Sequence, residues 1–297
     1  MFAIVQEELG GPEVLKGVEV DRPVPGPGEV LVRVGATSVN AADWKLRSGE
    51  IRKLGEPPFT LGLDVSGVVV ELGAGVDRVA VGTEVYAMVL SRFGAYAEYV
   101  AVPVEYSARK PSTIDHPQAA ALPTAVLTAW QALTNVRAGQ RVLVHAAAGG
   151  VGHLAVQIAK WRGAHVLATA SAGNHDFLRE LGADEPIDYR TADFTEQARN
   201  IDLVLDLVGG EYGTRSLKVL RPNGVLVDTL GNDAESDPRY LRHYVEPNGA
   251  DLEVIAGLVD RGELRVHVDR VLPLRDAAEA HAIGETGHTR GKIVLVP

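Results

Sequence analysis

The chain of 297 residues is long enough for two cores, with an ordinary globular composition of 46% hydrophobic and 23% charged residues. Its net charge of −10 argues against a nucleic-acid polyanion or an anionic membrane surface as partner. With no cysteine there is no disulfide, thiolate nucleophile or cysteine-based metal site, and the nine histidines show neither HExxH nor carboxylates at ligand spacing, so no metal is expected.

The opening "MFAIVQEELGG" lacks the basic flank and long apolar core of a signal peptide. No apolar run is long enough to span a bilayer; the best, "AAALPTAVLTAW", is broken by Pro123 and hydroxyls. A soluble cytoplasmic protein is expected. Short strands come next: "EVLVRVGATSV" alternates, "VSGVVVELGAGV" is an apolar run ending in glycines, and "GAYAEYVAVP" alternates again. Such strands at close spacing predict an all-β barrel or sandwich-like domain. "PVPGPGE" is a rigid turn, and "VNAADWKLRSG" interrupts the strands with a helix-like turn.

From Asp115 the pattern changes. "DHPQAAALPTAVLTAWQAL" predicts a helix with Asp115 as its N-cap and Pro117 in the first turn. Strand–helix units follow: strand 141–146 with helix 151–162, strand 165–169 with helix 174–181, strand 201–206 with a helix near 211–220, then strand 224–228. This alternation predicts a parallel sheet covered on both faces. After 264, "LRVHVDRVLPL", a helix over 275–285 and the last strand "KIVLVP" return to the β-rich part.

The stretch "HAAAGGVGHLAVQIAK" carries the chemistry. Set on G-x-G-x-x-G it reads Ala147-Ala148-Gly149-Gly150-Val151-Gly152 after a strand and at the start of a helix. The middle glycine would admit a pyrophosphate close to the backbone, and the last would let the helix pack on the strand. Ala147 in place of the first glycine requires a negative φ or slight strain there. The bland alternative is a plain strand–helix turn, but the βα context favours a dinucleotide site. About 20 residues on, where an acid would bind a ribose 2′-OH, stand the neutral Thr169, Ser171 and Asn174. No carboxylate there repels a 2′-phosphate, so NADP(H) is the expected cofactor.

The motifs "PGPGEVLVRV", "VNAADWKLRSG", "LGLDVSGVV", "VGTEVYA", "GAYAEYVAVP", "LPTAVLTAWQAL", "HAAAGGVGHLAVQIAK", "LGADEPIDYR" and "GKIVLVP" span nearly the whole chain. In that order they resemble the zinc-independent medium-chain dehydrogenase/reductase superfamily, in its quinone-oxidoreductase branch. The resemblance implies an α/β protein with a GroES-like β-barrel catalytic domain at 1–115 and 265–297. It further implies a Rossmann doubly wound parallel-sheet cofactor domain at 116–264, an active site in a cleft between the domains, and a homodimer with an edge strand near "YLRHYVEP". Zinc relatives hold their metal at positions that fall here on Asn40, Leu63 and Thr124, a poor donor set for zinc. Without a Lewis acid, reduction of an electron-poor quinone or α,β-unsaturated carbonyl by NADPH is favoured over alcohol oxidation.

The resemblance also implies roles. Asn40 would donate to the acceptor oxygen and Asp43 would fix its turn; both could instead simply cap that turn. Thr124 and Thr128, four apart on one helix, would border the nicotinamide, or merely back-bond to carbonyls. Relatives often read "SARN" where this chain has Ser171-Ala172-Gly173-Asn174, so the arginine for the 2′-phosphate is missing. Asn174, His175, Tyr189 and Arg190 are the substitutes this chain offers. Val208 and Gly209 would lie at a strand C-terminus where ligands sit in open α/β sheets, and Leu230 and Gly231 after the next strand would offer backbone groups to the carboxamide. His145 and His153 are expected to pack or cap. The tyrosine many relatives carry after "RSG" is Ile51 and Arg52 here, which leaves water as the proton source. An enoyl or aldehyde/ketone reductase, and a non-catalytic NADPH-binding sensor or structural protein, remain as alternatives. A serine hydrolase is not supported, because "DVSGV" lacks G-x-S-x-G and shows no paired His–acid arrangement.

Overall fold

Valine dominates the first sheet because a β-branched side chain fits a pleated surface buried on one or both faces. In the computed structural model, which describes residues 1–297, the chain runs through β1 (Phe2–Gln6), β2 (Lys16–Glu19), β3 (Glu29–Val39), α1 (Ala41–Ser48), β4 (Phe59–Thr60), β5 (Asp64–Leu72), β6 (Glu84–Met88), β7 (Tyr99–Pro103) and β8 (Ser107–Arg109). β3 pairs antiparallel with both β5 and β7, and Val30, Val32, Val65, Val69, Val85 and Val100 pack between these strands. Helix α1 begins where Asn40 turns extended (φ −122°) and ends at Gly49, whose φ of 84° suits a residue without a Cβ. The predicted helix after Asp115 is two helices, α2 (His116–Ala120) and α3 (Pro123–Ala132), because Pro123 cannot continue the first and begins the second. Asp115 caps α2 as expected, accepting from the Gln118 N–H at 2.9 Å.

The βα units follow as β9 (Arg141–Val144), α4 (Gly152–Trp161), β10 (His165–Ala170), α5 (His175–Glu180), β11 (Glu185–Asp188), α6 (Phe194–Gln197), β12 (Ile201–Asp206), α7 (Tyr212–Leu217), β13 (Leu220–Asp228) and β14 (Tyr240–Arg242). Their sheet has the order β11-β10-β9-β12-β13-β14, parallel throughout. The order reverses between β9 and β12, the topological switch point at which open α/β sheets bind ligands beyond their strand C-termini. Leu143, Leu167, Ile187, Phe194, Val204 and Leu226 form a core of this unit.

The chain ends with α8 (Gly249–Asp260), β15 (Val268–Pro273), α9 (Ala277–Glu285) and β16 (Lys292–Val296), and β16 pairs antiparallel with β3. Two compact units result: Met1–Leu127 with Pro247–Pro297, and Thr128–Glu246. The expected boundaries at 115/116 and 264/265 both lie inside the first of these. The reason at the far end is α8, to which the sequence reading assigns no helix. It belongs with the barrel strands: the Tyr86 hydroxyl donates to Leu252 O at 2.5 Å, and a Cβ on Gly249 would come within 2.4 Å of Ser107 O.

Candidate active site

Within the second unit, the strands end in loops that gather at one edge of the sheet. After β9, Ala147 keeps a negative φ and the left-handed residue is Ala146, at φ 47°. The unusual backbone thus sits one position before the replaced glycine. Ala147 N–H donates to Thr169 O at 3.0 Å and Gly149 N–H to Ala146 O at 3.0 Å, while Gly150 and Val151 N–H donate to no carbonyl. A Cβ on Gly152 would stand 2.4 Å from Ala146 O and 2.6 Å from Ala147 Cα, so α4 closes on the strand end only with glycine there. His153 Nδ1 lies 2.9 Å from Gly149 O. The buried His145 bridges Thr169 Oγ1 and Ser216 Oγ, each at 3.1 Å, and burial lowers its pKa to about 3. It is a neutral packing residue, as expected.

The other predicted nucleotide residues share this edge. After β10, Asn174 donates to Ser171 Oγ at 3.2 Å, and His175 heads α5 with an Nε2 that has no hydrogen-bond partner within the chain. After β11, Tyr189 is half exposed, and the Arg190 guanidinium lies 5.8 Å from its ring centroid. After β12, Asp206 Oδ1 accepts from Val208 N–H (2.9 Å) and Gly209 N–H (3.0 Å). After β13, Asp228 accepts from Leu230 N–H (2.9 Å) and Gly231 N–H (2.7 Å). Both acids are buried and both glycines have left-handed φ, 80° and 98°. The loops interlock where Gly210 N–H donates to Gly231 O at 3.0 Å. Sequence reasoning passed over Asp206 and Asp228, although Asp-x-x-Gly ending an apolar strand, in "DLVGG" and again in "DTLGN", is the signature of a carboxylate folding its own loop. These residues fit a dinucleotide: unpartnered amides open a helix, a glycine stands where a Cβ has no room, and Arg190 and His175 can meet phosphate. Thr128 lies on α3, four residues beyond Thr124.

In the first unit Asn40, Asp43 and Thr124 meet at one buried polar cluster. Asp43 fixes its turn as expected, accepting from Asn40 N–H at 2.8 Å and from Gly62 N–H at 3.1 Å. Burial is the main reason its pKa rises to about 7, with the neighbouring Asp64 adding to the rise. Asp64 accepts from three donors, Ser38 Oγ (2.5 Å) and Asn40 Nδ2 (2.8 Å) on Oδ2 and Thr124 N–H (2.7 Å) on Oδ1, and it pairs with the Lys292 ammonium at 3.7 Å. Lys292 donates to Val39 O at 2.8 Å and to Asn40 Oδ1, and burial pulls its pKa down against the pull of both aspartates. Asp64 and Lys292 escaped the sequence reading. Their signal was a single charge at the head of a buried apolar strand, in "LGLDVSG" and "GKIVLVP".

This cluster does not fit zinc. Leu63 offers only hydrocarbon, Thr124 a hydroxyl, and the Asn40 oxygen already accepts from an ammonium whose charge would repel a cation. The structure also joins Ser66 Oγ to His116 Nδ1 at 2.8 Å and His116 Nε2 to Glu84 at 3.4 Å, a Ser–His–acid chain the sequence did not reveal. Ser66 is wholly buried in β5 and also donates to Val85 O, so it presents no nucleophile.

Residues 26–112 match the alcohol dehydrogenase GroES-like domain, and residues 181–295 match the zinc-binding dehydrogenase family. A chloroplast envelope quinone oxidoreductase homolog of Arabidopsis thaliana is 36% identical over 97% of this chain and 95% of its own length. The chloroplastic NADPH-dependent alkenal/one oxidoreductase of the same plant is 37% identical over 100% of this chain and 80% of its own. Among solved structures, the quinone oxidoreductase of Coxiella burnetii superposes with a TM-score of 0.94 at 38% identity, covering 100% of this chain and 99% of that one. The Escherichia coli quinone oxidoreductase complexed with NADPH does so with a TM-score of 0.91 at 29% identity, over the whole of both chains.

Proposed function

The chain belongs to the zinc-independent quinone-oxidoreductase branch of the medium-chain dehydrogenase/reductase superfamily, and from that premise we propose its reaction and the residues that carry it. It is an NADPH-dependent oxidoreductase that reduces a quinone or an activated alkene. When bound, NADPH supplies a hydride to the electron-poor carbon of the acceptor and leaves as NADP⁺, while a proton from solvent completes the reduced product. The observation that carries this reading is the glycine loop at the switch point, closed by a helix that tolerates no side chain at Gly152.

The chain's own residues bind and orient. Gly150, Val151 and Gly152 present main-chain amides to the diphosphate, and Ala147 and Gly149, whose own N–H groups are bonded within the loop, hold its shape. Ser171, Asn174, His175, Tyr189 and Arg190 take the adenosine phosphate, with Arg190 supplying the cation missing at Gly173. Val208, Gly209, Leu230 and Gly231 offer backbone groups held in place by Asp206 and Asp228, and Thr128 joins them on the nicotinamide side. Asn40 donates from its carboxamide to the acceptor oxygen as negative charge gathers there, Asp43 holds the turn that carries it, and Thr124 borders the same place. We also propose a cytoplasmic homodimer, in which a second copy adds to the edge strand β14, where Leu241 and the following Tyr244 are exposed; light scattering of the purified protein and cell fractionation test it.

The test of function is NADPH consumption at its absorbance band with quinones, enones and enoyl thioesters, repeated with NADH. Turnover with quinones or enones and a higher kcat/KM for NADPH is expected. Tight NADPH binding with no turnover on any acceptor would make the protein a sensor instead, and comparable kcat/KM for both nucleotides would overturn the cofactor assignment.

A further inference from the structure

Lys292 and Asp64 form a buried ion pair that the reaction does not itself use, with side-chain exposures of 3% and 0%. Removing two charges from water is costly, and a hydrophobic pair of similar volume often serves stability as well or better. The pair therefore calls for another reason, and the Asn40 carboxamide lies between its members. Lys292 Nζ can only donate, so the Asn40 atom facing it is Oδ1. The Asp64 carboxylate can only accept, so the atom 2.8 Å from it is Nδ2. Turning the amide over would set its NH₂ against an ammonium and its oxygen against a carboxylate. Side-chain amides are otherwise close to symmetric in shape and free to flip.

The two charges thus hold one orientation out of two. They also use up the Asn40 oxygen and one amide hydrogen, which leaves the second Nδ2–H without a partner in the chain. The same Asp64 holds Thr124 N–H at 2.7 Å, so one carboxylate sets the place of both residues.

We propose that Lys292 and Asp64 are positioning residues that lock the Asn40 carboxamide and reserve its second N–H for the oxygen of the acceptor. The proposal rests on the reading of Asn40 as that donor. Neither charge touches the acceptor; both act through Asn40.

A double-mutant cycle tests this, because residues acting through one another are not additive whereas independent structural damage is. The wild type, N40A, K292M and N40A/K292M are compared by kcat with 1,4-benzoquinone at saturating NADPH, and by their Kd for NADPH. K292M is expected to lower kcat roughly 10- to 100-fold, the usual range for losing a group that orients an active one, and N40A, which removes the donor itself, at least as much. The double variant should be no slower than N40A, and the Kd for NADPH should stay constant across the set. A K292M loss that multiplies with the N40A loss, or K292M turning over at the wild-type rate, overturns the proposal and leaves the role of Asn40 standing. N40A at the wild-type rate overturns that role, and the proposal with it. Where K292M does not fold, K292M/D64N removes both charges together and lets the amide turn over. Built with and without N40A, it carries the same cycle with the same outcomes.

Discussion

At the scale of single residues, Asp43 shows how far burial and partners can disagree. Its two oxygens accept two main-chain N–H groups, which favour the carboxylate, yet burial outweighs them and the pKa climbs from 3.8 to about 7. Between those two values the native state holds a proton that the unfolded chain has released, so stability tied to this group falls as pH rises from about 4 to about 7. Asp43→Asn removes the titration and also turns an NH₂ toward one of the two N–H donors, so the variant should be less stable than wild type at pH 5. The wild-type advantage should then shrink by about 2–3 kcal/mol by pH 8, read from urea unfolding at the two pH values. A difference that does not change with pH would refute the raised pKa. Asn40, Asp43 and Thr124 were legible because the motifs around them are local. Asp64 and Lys292 were not, since their partnership joins strands 228 positions apart in sequence, and no local pattern shows which apolar strand end will bury a charge against another.

At the scale of elements, strands and helices of the βα region were readable because each apolar run ends at glycine, proline or a capping residue. Strand 201–206 falls where the structure has it, and strand 141–146 and helix 151–162 lie within two residues at each end. The miss was α8. Its apolar positions Leu252, Ile255, Leu258 and Val259 follow helical spacing, and Asn248 caps it by accepting from Asp251 N–H at 3.0 Å, so its signals were present but overshadowed by the turn residues before it. The turn from β9 into α4 makes the sharpest element-level prediction. Gly152→Ala pushes a methyl into main-chain atoms that cannot swing aside, and overpacking of this kind costs about 1–3 kcal/mol. A lower melting temperature together with at least tenfold weaker NADPH binding is expected. An unchanged Kd would mean that the loop does not hold the diphosphate. The loop after β13 depends on a single carboxylate, which also accepts from Tyr240 (2.8 Å) and pairs with Arg242 (2.6 Å). Asp228→Ala strands four donors at once and should destabilise the protein by roughly 3–5 kcal/mol, measured by denaturant unfolding.

At the scale of the whole molecule, the chain begins in one unit, passes through the other and returns, and the proposed labour divides along the same line: nucleotide in Thr128–Glu246, the acceptor's donor in the remainder. That the sheet is parallel was implied by alternation of strands and helices, but where the units part was not, because α2 and α8 carry no mark of the sheet they cover. Tryptophan placement allows the division to be tested. Trp44 lies in the first unit, and Trp130 and Trp161 lie in the second with ring centroids 5.8 Å apart. Trp44→Phe therefore leaves fluorescence that reports only on the second unit. A ligand that binds only the native state stabilises it by RT ln(1 + [L]/Kd), about 2.7 kcal/mol at a hundredfold excess over Kd. NADPH at that excess should move the tryptophan-detected urea midpoint upward by the corresponding amount, and NADH at the same concentration should move it less. Arg190→Ala should narrow the gap between the two nucleotides by weakening NADPH alone, since only NADPH carries a 2′-phosphate for the guanidinium to meet. A midpoint that NADPH leaves in place would put the nucleotide outside this unit, and a gap that survives the loss of Arg190 would move the phosphate contact to His175 or Asn174.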